Sequence, residues 1–264
     1  MRILHIGDIV GSIGVRAVEK HLSAIREQYQ PDWVTANGEN AESGSGITKN
    51  IFRRLIAAGV DGVTLGDHIY RKREIIEILE SDERIVRPAN FPPESPGKCH
   101  VTLTNDKQQQ LVLVSLLGRV FMRPVDCPFH AIDRVLTELP DPQVPILVDM
   151  HAEATSDKQL MGYYLDGRVS AVLGTHTHVP TADECILPQG TAFQCDVGMT
   201  GPHHSILGRR IDRVMETTVT FKPTSFVVAS GDVRINATLV ELDPETNRAV
   251  HIERVAWRVP DAAH

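Results

Sequence analysis

Short apolar runs that end in polar turns recur along this chain, with amphipathic stretches between them. Arg2 to Ile6 is the first such run and leads into GDIVGSIG; after it, Val15, Val18, Leu22, Ile25 and Tyr29 fall at helical spacing on one face. The unit then repeats. PDWVTANGEN predicts a strand into a polar loop, NIFRRLIAAG a helix closed by Gly59, VDGVTLGDH a strand and KREIIEILES a helix. Further on come strand-like HVTLT and QQLVLVSLLG, a helix around Ala131 to Leu139, and the strand of VPILVDMHAEAT. A helix near Lys158 to Leu165 follows, with Thr155 and Ser156 as its expected caps, and then the strand of RVSAVLGTHTHVP. Beyond these, TAFQCDVGM, FVVASGDVRINATLVELD and AVHIERVAWRV predict antiparallel strands, with one helix from Leu207 to Met215 between them. The alternation predicts an α/β fold, with residues 1–264 as one domain of two packed sheets and helices outside. The Pro-rich RPANFPPESPG is too short to divide it.

Composition narrows the partners. Of 264 residues, 27 are basic and 34 acidic, a formal net charge of −7, and no basic run tracks a phosphate backbone. Long nucleic acid is therefore not expected. The start, MRILHIGDIVG, has neither the basic segment nor the apolar stretch of a signal peptide, and no apolar run approaches the roughly 20 residues of a membrane span, so a cytoplasmic protein is expected. Cys99, Cys127, Cys185 and Cys195 form no CxxC pair and are expected to be reduced packing residues.

The polar residues are most informative where strands end. Asp8 follows the first run, Glu39 and Asn40 the second, Asp67 and His68 the third, His151 the LVDM run, and His176 with His178 the VLG run. Carboxyl ends of neighbouring strands in an open α/β sheet share one edge, where ligands bind, so these side chains are expected to converge. Each alone has an ordinary reading, as a turn residue, a helix cap or a half-buried histidine. Their shared placement favours a metal site. Carboxylates, an amide and imidazoles suit iron, manganese or zinc, whereas calcium and magnesium favour oxygen alone. The set is too large for one tetrahedral site and suits two metals sharing a carboxylate. The spacing of His176 and His178 is expected to place both rings on the same side of an extended segment.

GDIVG, NGEN, the GDH of TLGDHIY, DMHAEAT, GTHTHV and DVGMTGP, in this order, resemble the metallophosphoesterases, specifically the YmdB-like branch. This branch is similar to bacterial 2',3'-cyclic nucleotide 2'-phosphodiesterases, and the resemblance runs from Met1 to about Trp257, including RPANFPP, GRVFM and DCPF. It implies a four-layer α/β/β/α sandwich of the metallo-dependent phosphatase type and a dinuclear centre. Asp8, Glu39, Asn40 and His178 would hold one metal, and Glu39, Asp67, His151 and His176 the other, with Glu39 bridging and His68 as proton donor. The wider superfamily has a histidine where this chain has Val10, and Asn40 is expected to take the vacated coordination position. The family has asparagine in a GNH motif where this chain has Asp67, which keeps a ligating oxygen but loses the NH2 donor and adds a negative charge.

The implied activity is hydrolysis of small phosphodiesters, foremost 2',3'-cyclic nucleotides, by a hydroxide held between two metals. Iron or manganese is the expected metal, with zinc the alternative. Other readings are a phosphomonoesterase and a metal- and nucleotide-binding regulator with little turnover. The substrate is expected to be a small molecule, and self-association into a homo-oligomer is compatible with the sequence. Arg87 and Arg119 could reach a phosphate, although arginines of this kind are more often solvated. His203 and His204, in TGPHHS, lie off the strand ends and are excluded from the site.

Overall fold

The computed structural model describes residues 1–141 and 143–260. Its first sheet contains β1 (Arg2–Ile6), β2 (Trp33–Asn37), β3 (Gly62–Thr64), β4 (Ile85–Val86), β11 (Gly201–His204), β12 (Gly231–Leu242) and β13 (Ala249–Arg258). The order is β11-β12-β1-β2-β3-β4, with β13 also paired to β12; β1 to β4 run parallel and β12 antiparallel to β1. The second sheet is ordered β5-β6-β7-β8-β10-β9, from β5 (His100–Thr104), β6 (Gln110–Leu117), β7 (Ile146–His151), β8 (Ala171–Thr175), β9 (Cys185–Ile186) and β10 (Ala192–Gln194).

Alternation along the strands explains why the sheets stack. Leu4 and Ile6 of β1, with Val34 and Ala36 of β2, pack outward on α1 (Gly11–Tyr29), α2 (Lys49–Ala57) and α3 (Ile75–Ser81). Val112, Val114 and Leu116 of β6 do the same against α4 (Pro128–Glu138) and α5 (Thr155–Leu165). Ile3, Trp33, Leu111, Leu113, Leu147 and Leu173 face the other way and form the layer between the sheets. Strands apolar on both faces need two covers, which gives the four-layer α/β/β/α sandwich. Deleting one of these fully buried side chains, as in Leu147→Ala, is expected to cost about 2 to 5 kcal/mol.

The layer between the sheets changes character along its length. On β7 the alternate positions Leu147, Asp149 and His151 run from apolar to ionisable, and on β2 Trp33, Thr35 and Asn37 do likewise, from apolar to polar. All six are buried. The polar ends point toward the carboxyl edge of both sheets. At the opposite edge, a cavity of about 620 Å³ is lined by Trp33 and by acids such as Asp61, Asp82 and Asp106, with no histidine among the described residues that line it.

Several elements differ from the periodicity. The predicted helix from Leu207 to Met215 lies instead at α6 (Ile211–Thr220), because Leu207 and Gly208 adopt φ of 49° and 87° in a turn and Arg210 is still extended. The segment TAFQCDVGM supplies β10, which runs parallel to β8 rather than antiparallel, since it returns to the sheet by a crossover. TGPHHS, which lies outside the strands that the periodicity predicts, supplies β11. Thr155 and Ser156 open α5 rather than capping it; the cap position is Ala154, without a side-chain hydrogen bond. No helix among the described residues is long and apolar enough to cross a membrane.

Candidate active site

The strand ends meet as the sequence predicts. Glu39, Asp67, His151 and His176 each offer a ligand atom, all within 4.8 Å of one another. His151 Nε2 lies 3.1 Å from Glu39 Oε1, 3.4 Å from Asp67 Oδ1 and 3.0 Å from His176 Nδ1. Asp8, Asn40 and His178 adjoin the group: His178 Nε2 is 3.8 Å from Asp8 Oδ1 and 3.2 Å from Asn40 Nδ2, and Asn40 Nδ2 is 3.1 Å from Glu39 Oε1. Glu39 therefore touches both sides.

Two glycine-dependent or strained segments shape the cluster. Gly66 passes so close to Glu39 and His151 that a Cβ there would collide with the carboxylate and the imidazole. His176 and His178 both have positive φ, 93° and 66°, which side-chain-bearing residues seldom adopt. The expectation of one extended segment with both rings on one side is thus corrected: the chain bends, and His176 faces Asp67 while His178 faces Asp8. The bend is held by buried Asp196, which accepts from the backbone N–H and hydroxyl of Thr177 and pairs with buried Lys158 at 2.7 Å.

Outward hydrogen bonds fix which nitrogen of each histidine faces the cluster. His178 Nδ1 is 3.2 Å from the Leu207 carbonyl, which can only accept, so the proton sits on Nδ1 and the Nε2 lone pair faces the cluster. His176 Nε2 lies 3.2 Å from a Glu153 carboxylate oxygen, leaving Nδ1 facing inward. His151 Nδ1 is 2.8 Å from Thr175 Oγ1, whose own proton goes to Asp149 Oδ1 at 2.6 Å. Thr175 therefore accepts from His151 Nδ1, and Nε2 is the atom that faces the cluster and could ligate once deprotonated. Outer hydrogen bonds of this type orient metal-binding imidazoles. Glu153, Thr175 and Asp149 had no assigned role in the sequence reading, although all three sit inside or beside its motifs.

Charge is concentrated here. Burial lifts the Asp8 carboxyl to about 6, against the attraction of His178 and His151. Burial would raise Glu39 as well, but His151 and His68 hold it well below the ordinary carboxylate range. Burial opposes charge on His151, yet Glu39 and Asp67 push its pKa well above the usual histidine value. Burial and then neighbouring His151 push His176 down to about 4. His68 is raised through its contact with Glu39; its Nδ1 lies 2.8 Å from Asn40 Oδ1, so Nε2 faces outward.

Asp8 Oδ1 and Asp67 Oδ1 are buried with no hydrogen-bond partner among the described residues. Orphaned buried carboxylate oxygens are costly unless a cation satisfies them, and the inward-facing imidazole nitrogens could ligate the same cation. The donor set thus fits metal ions. Asn40 presents Nδ2 to Glu39 and His178; a half-turn of its amide would exchange that for Oδ1, the atom able to ligate.

Arg87 is buried and donates to the carbonyls of Gly97 and Pro88, which uses it structurally. Arg119 lies in an exposed loop whose backbone N–H groups at Arg119 and Val120 donate to Asp157. His203 is tied to Asn236 and His204 is exposed, so both stand apart from the cluster.

The YmdB-like protein family profile matches residues 4–255. The chain belongs to this family. A 2',3'-cyclic-nucleotide 2'-phosphodiesterase from Bacillus subtilis (strain 168) is 43% identical over 255 residues, 97% of this chain and 96% of the relative. The crystal structure of a hypothetical protein from Thermus thermophilus superposes with a TM-score of 0.92 at 46% identity, covering 98% of this chain and all of the other. A phosphatase from Mycoplasma pneumoniae superposes with a TM-score of 0.91 at 28% identity, over 98% of this chain and 93% of its own. Such coverage means that the two-sheet frame carrying the cluster is the frame of the YmdB-like family.

Proposed function

We propose that this chain is a metal-dependent phosphoesterase that hydrolyses small phosphodiesters, foremost 2',3'-cyclic nucleotides. The observation that carries the reading is the convergence of Glu39, Asp67, His151 and His176, in a family whose Bacillus subtilis member is a 2',3'-cyclic-nucleotide 2'-phosphodiesterase. Asp8, Glu39, Asn40 and His178 would hold one metal ion, and Glu39, Asp67, His151 and His176 a second. Iron or manganese suits this set, with zinc the alternative. When bound, the metals supply Lewis acidity toward phosphoryl oxygen and activate water near neutral pH.

The protein's own groups do the rest. Glu39, joined to both sides, keeps the two positions in register. His68 carries its transferable proton on Nε2, because Nδ1 is turned inward to the Asn40 side-chain amide. As the P–O2' bond of a 2',3'-cyclic phosphate breaks, that proton neutralises the ribose oxygen, and water oxygen joins phosphorus to leave a 3'-monophosphate. A histidine pKa raised by Glu39 supports a proton-carrying role at neutral pH. The net charge of −7 suits a small molecule rather than long nucleic acid, and a cytoplasmic setting fits this substrate.

One observation favours a second reading, a nucleotide-binding regulator with little turnover: Asp67 Oδ2 lies 3.8 Å from His68 Nε2, where its charge would repel phosphate. A single experiment separates the readings. Metal-replete chain is assayed on 2',3'-cAMP, 3',5'-cAMP, bis-p-nitrophenyl phosphate and p-nitrophenyl phosphate, with elemental analysis of the same sample. The proposal expects 3'-AMP from 2',3'-cAMP as the fastest reaction. Faster release from p-nitrophenyl phosphate would establish a monoesterase, and bound metal with tight nucleotide binding but no product would establish the regulator.

A further inference from the structure

A second group of metal-capable side chains lies away from the strand-end cluster. Cys99 precedes the edge strand β5, His100 begins it, and Glu138 is the last residue of α4. Their ligand atoms all lie within 4.8 Å of one another. We propose that Cys99, His100 and Glu138 form a separate site for one thiophilic divalent cation, with zinc the best match.

The geometry and the chemistry agree. Cys99 Sγ is 3.6 Å from His100 Nδ1. A tetrahedral zinc, with Zn–S of about 2.3 Å and Zn–N of about 2.0 to 2.1 Å, sets sulfur and nitrogen about 3.6 Å apart. Thiolate, imidazole and carboxylate together select zinc over magnesium, calcium or manganese. Glu138 also stands at the carboxyl end of α4, where the helix dipole favours a cation.

Cys99 packs against the core under α4, which keeps the sulfur in place, and Glu138 is exposed. Cys99 and Glu138 border a cavity of about 360 Å³ that Arg87 and Arg134 also line. A fourth coordination position would open toward it. Binding forms the S–metal bond and releases the Cys99 thiol proton to solvent. The cation would clip the end of α4 to the edge of the second sheet, and Cys99 would be a ligand rather than only the packing residue its sequence context predicts.

The strand-end cluster contains no sulfur, which makes the two sites separable by spectroscopy. Chelator-treated, reduced full-length chain is titrated with cobalt(II), which gives an intense thiolate-to-cobalt charge-transfer band only where a cysteine ligates. The wild type is expected to show this band, and Cys99→Ser to lose it while keeping its phosphodiesterase activity. Cys185→Ser should retain the band, and Glu138→Gln should weaken cobalt binding at it by at least about tenfold. The proposal is overturned if wild type shows no such band, if the band survives Cys99→Ser, or if Glu138→Gln binds cobalt as tightly as wild type.

Discussion

The two sheets bring opposite chemistry to the same edge. β1, β2 and β3 end in Asp8, Glu39, Asn40 and Asp67, all oxygen-bearing, whereas β7 and β8 end in His151, His176 and His178. On the first sheet's side Asp8 and Glu39 each accept from a backbone N–H, that of His176 at 3.0 Å and that of His68 at 3.1 Å. The imidazoles of the second sheet are anchored by outward acceptors, Thr175, Glu153 and the Leu207 carbonyl. Neither sheet alone could hold a metal of the proposed kind. The site is therefore a property of the packing between them, and variants that weaken one side report on the other.

The largest expected effect comes from the residue that joins the sides. Glu39→Ala should lose more than about 100-fold in turnover, with metal content falling in elemental analysis, since His151 and Asn40 lose their common partner. His68→Ala should lose about 100-fold in turnover on 2',3'-cAMP while keeping its metal; wild-type rates would remove it as the proton donor.

Smaller effects probe each anchor. Thr175→Val leaves His151 Nδ1 without its acceptor and should weaken metal binding about tenfold in a competition titration. Acid should act on both sheets. A ligand must be deprotonated to bind, so affinity should fall as pH drops below about 6, where Asp8 takes up its proton. In metal-stripped protein the sign reverses for His151. Its raised pKa contributes stability that is fully present below the ordinary histidine value and is lost as pH rises through the raised one. Melting temperatures of stripped and loaded protein across a series from about pH 5 to 8 should therefore diverge with rising pH, and parallel curves would contradict the assigned ligands. Asp67→Asn is expected to change least, with turnover equal or higher. A loss of about 100-fold would show that the carboxylate has its own task.

Periodicity and strand-end placement made much of this legible. The apolar runs located β1, β2, β7 and β8, and the polar residue after each run proved to face the cluster, because parallel strands must deliver their ends to one edge. The bend that splits His176 from His178 was not legible, since positive φ at a histidine has no signature in the spacing of its neighbours. Nor were the anchors: Thr175 and Glu153 act through a single hydrogen bond each, and only the fold decides which hydroxyl or carboxylate stands behind which ring. The misplaced α6 has a similar cause, a turn at Leu207 and Gly208 that apolar spacing cannot reveal.

The bend after β8 also has a dynamic consequence. Because His176 and His178 flank Thr177, whose N–H and hydroxyl are pinned by buried Asp196, the backbone that carries both rings is ordered by the protein itself. Little conformational entropy is then left to lose when a ligand arrives.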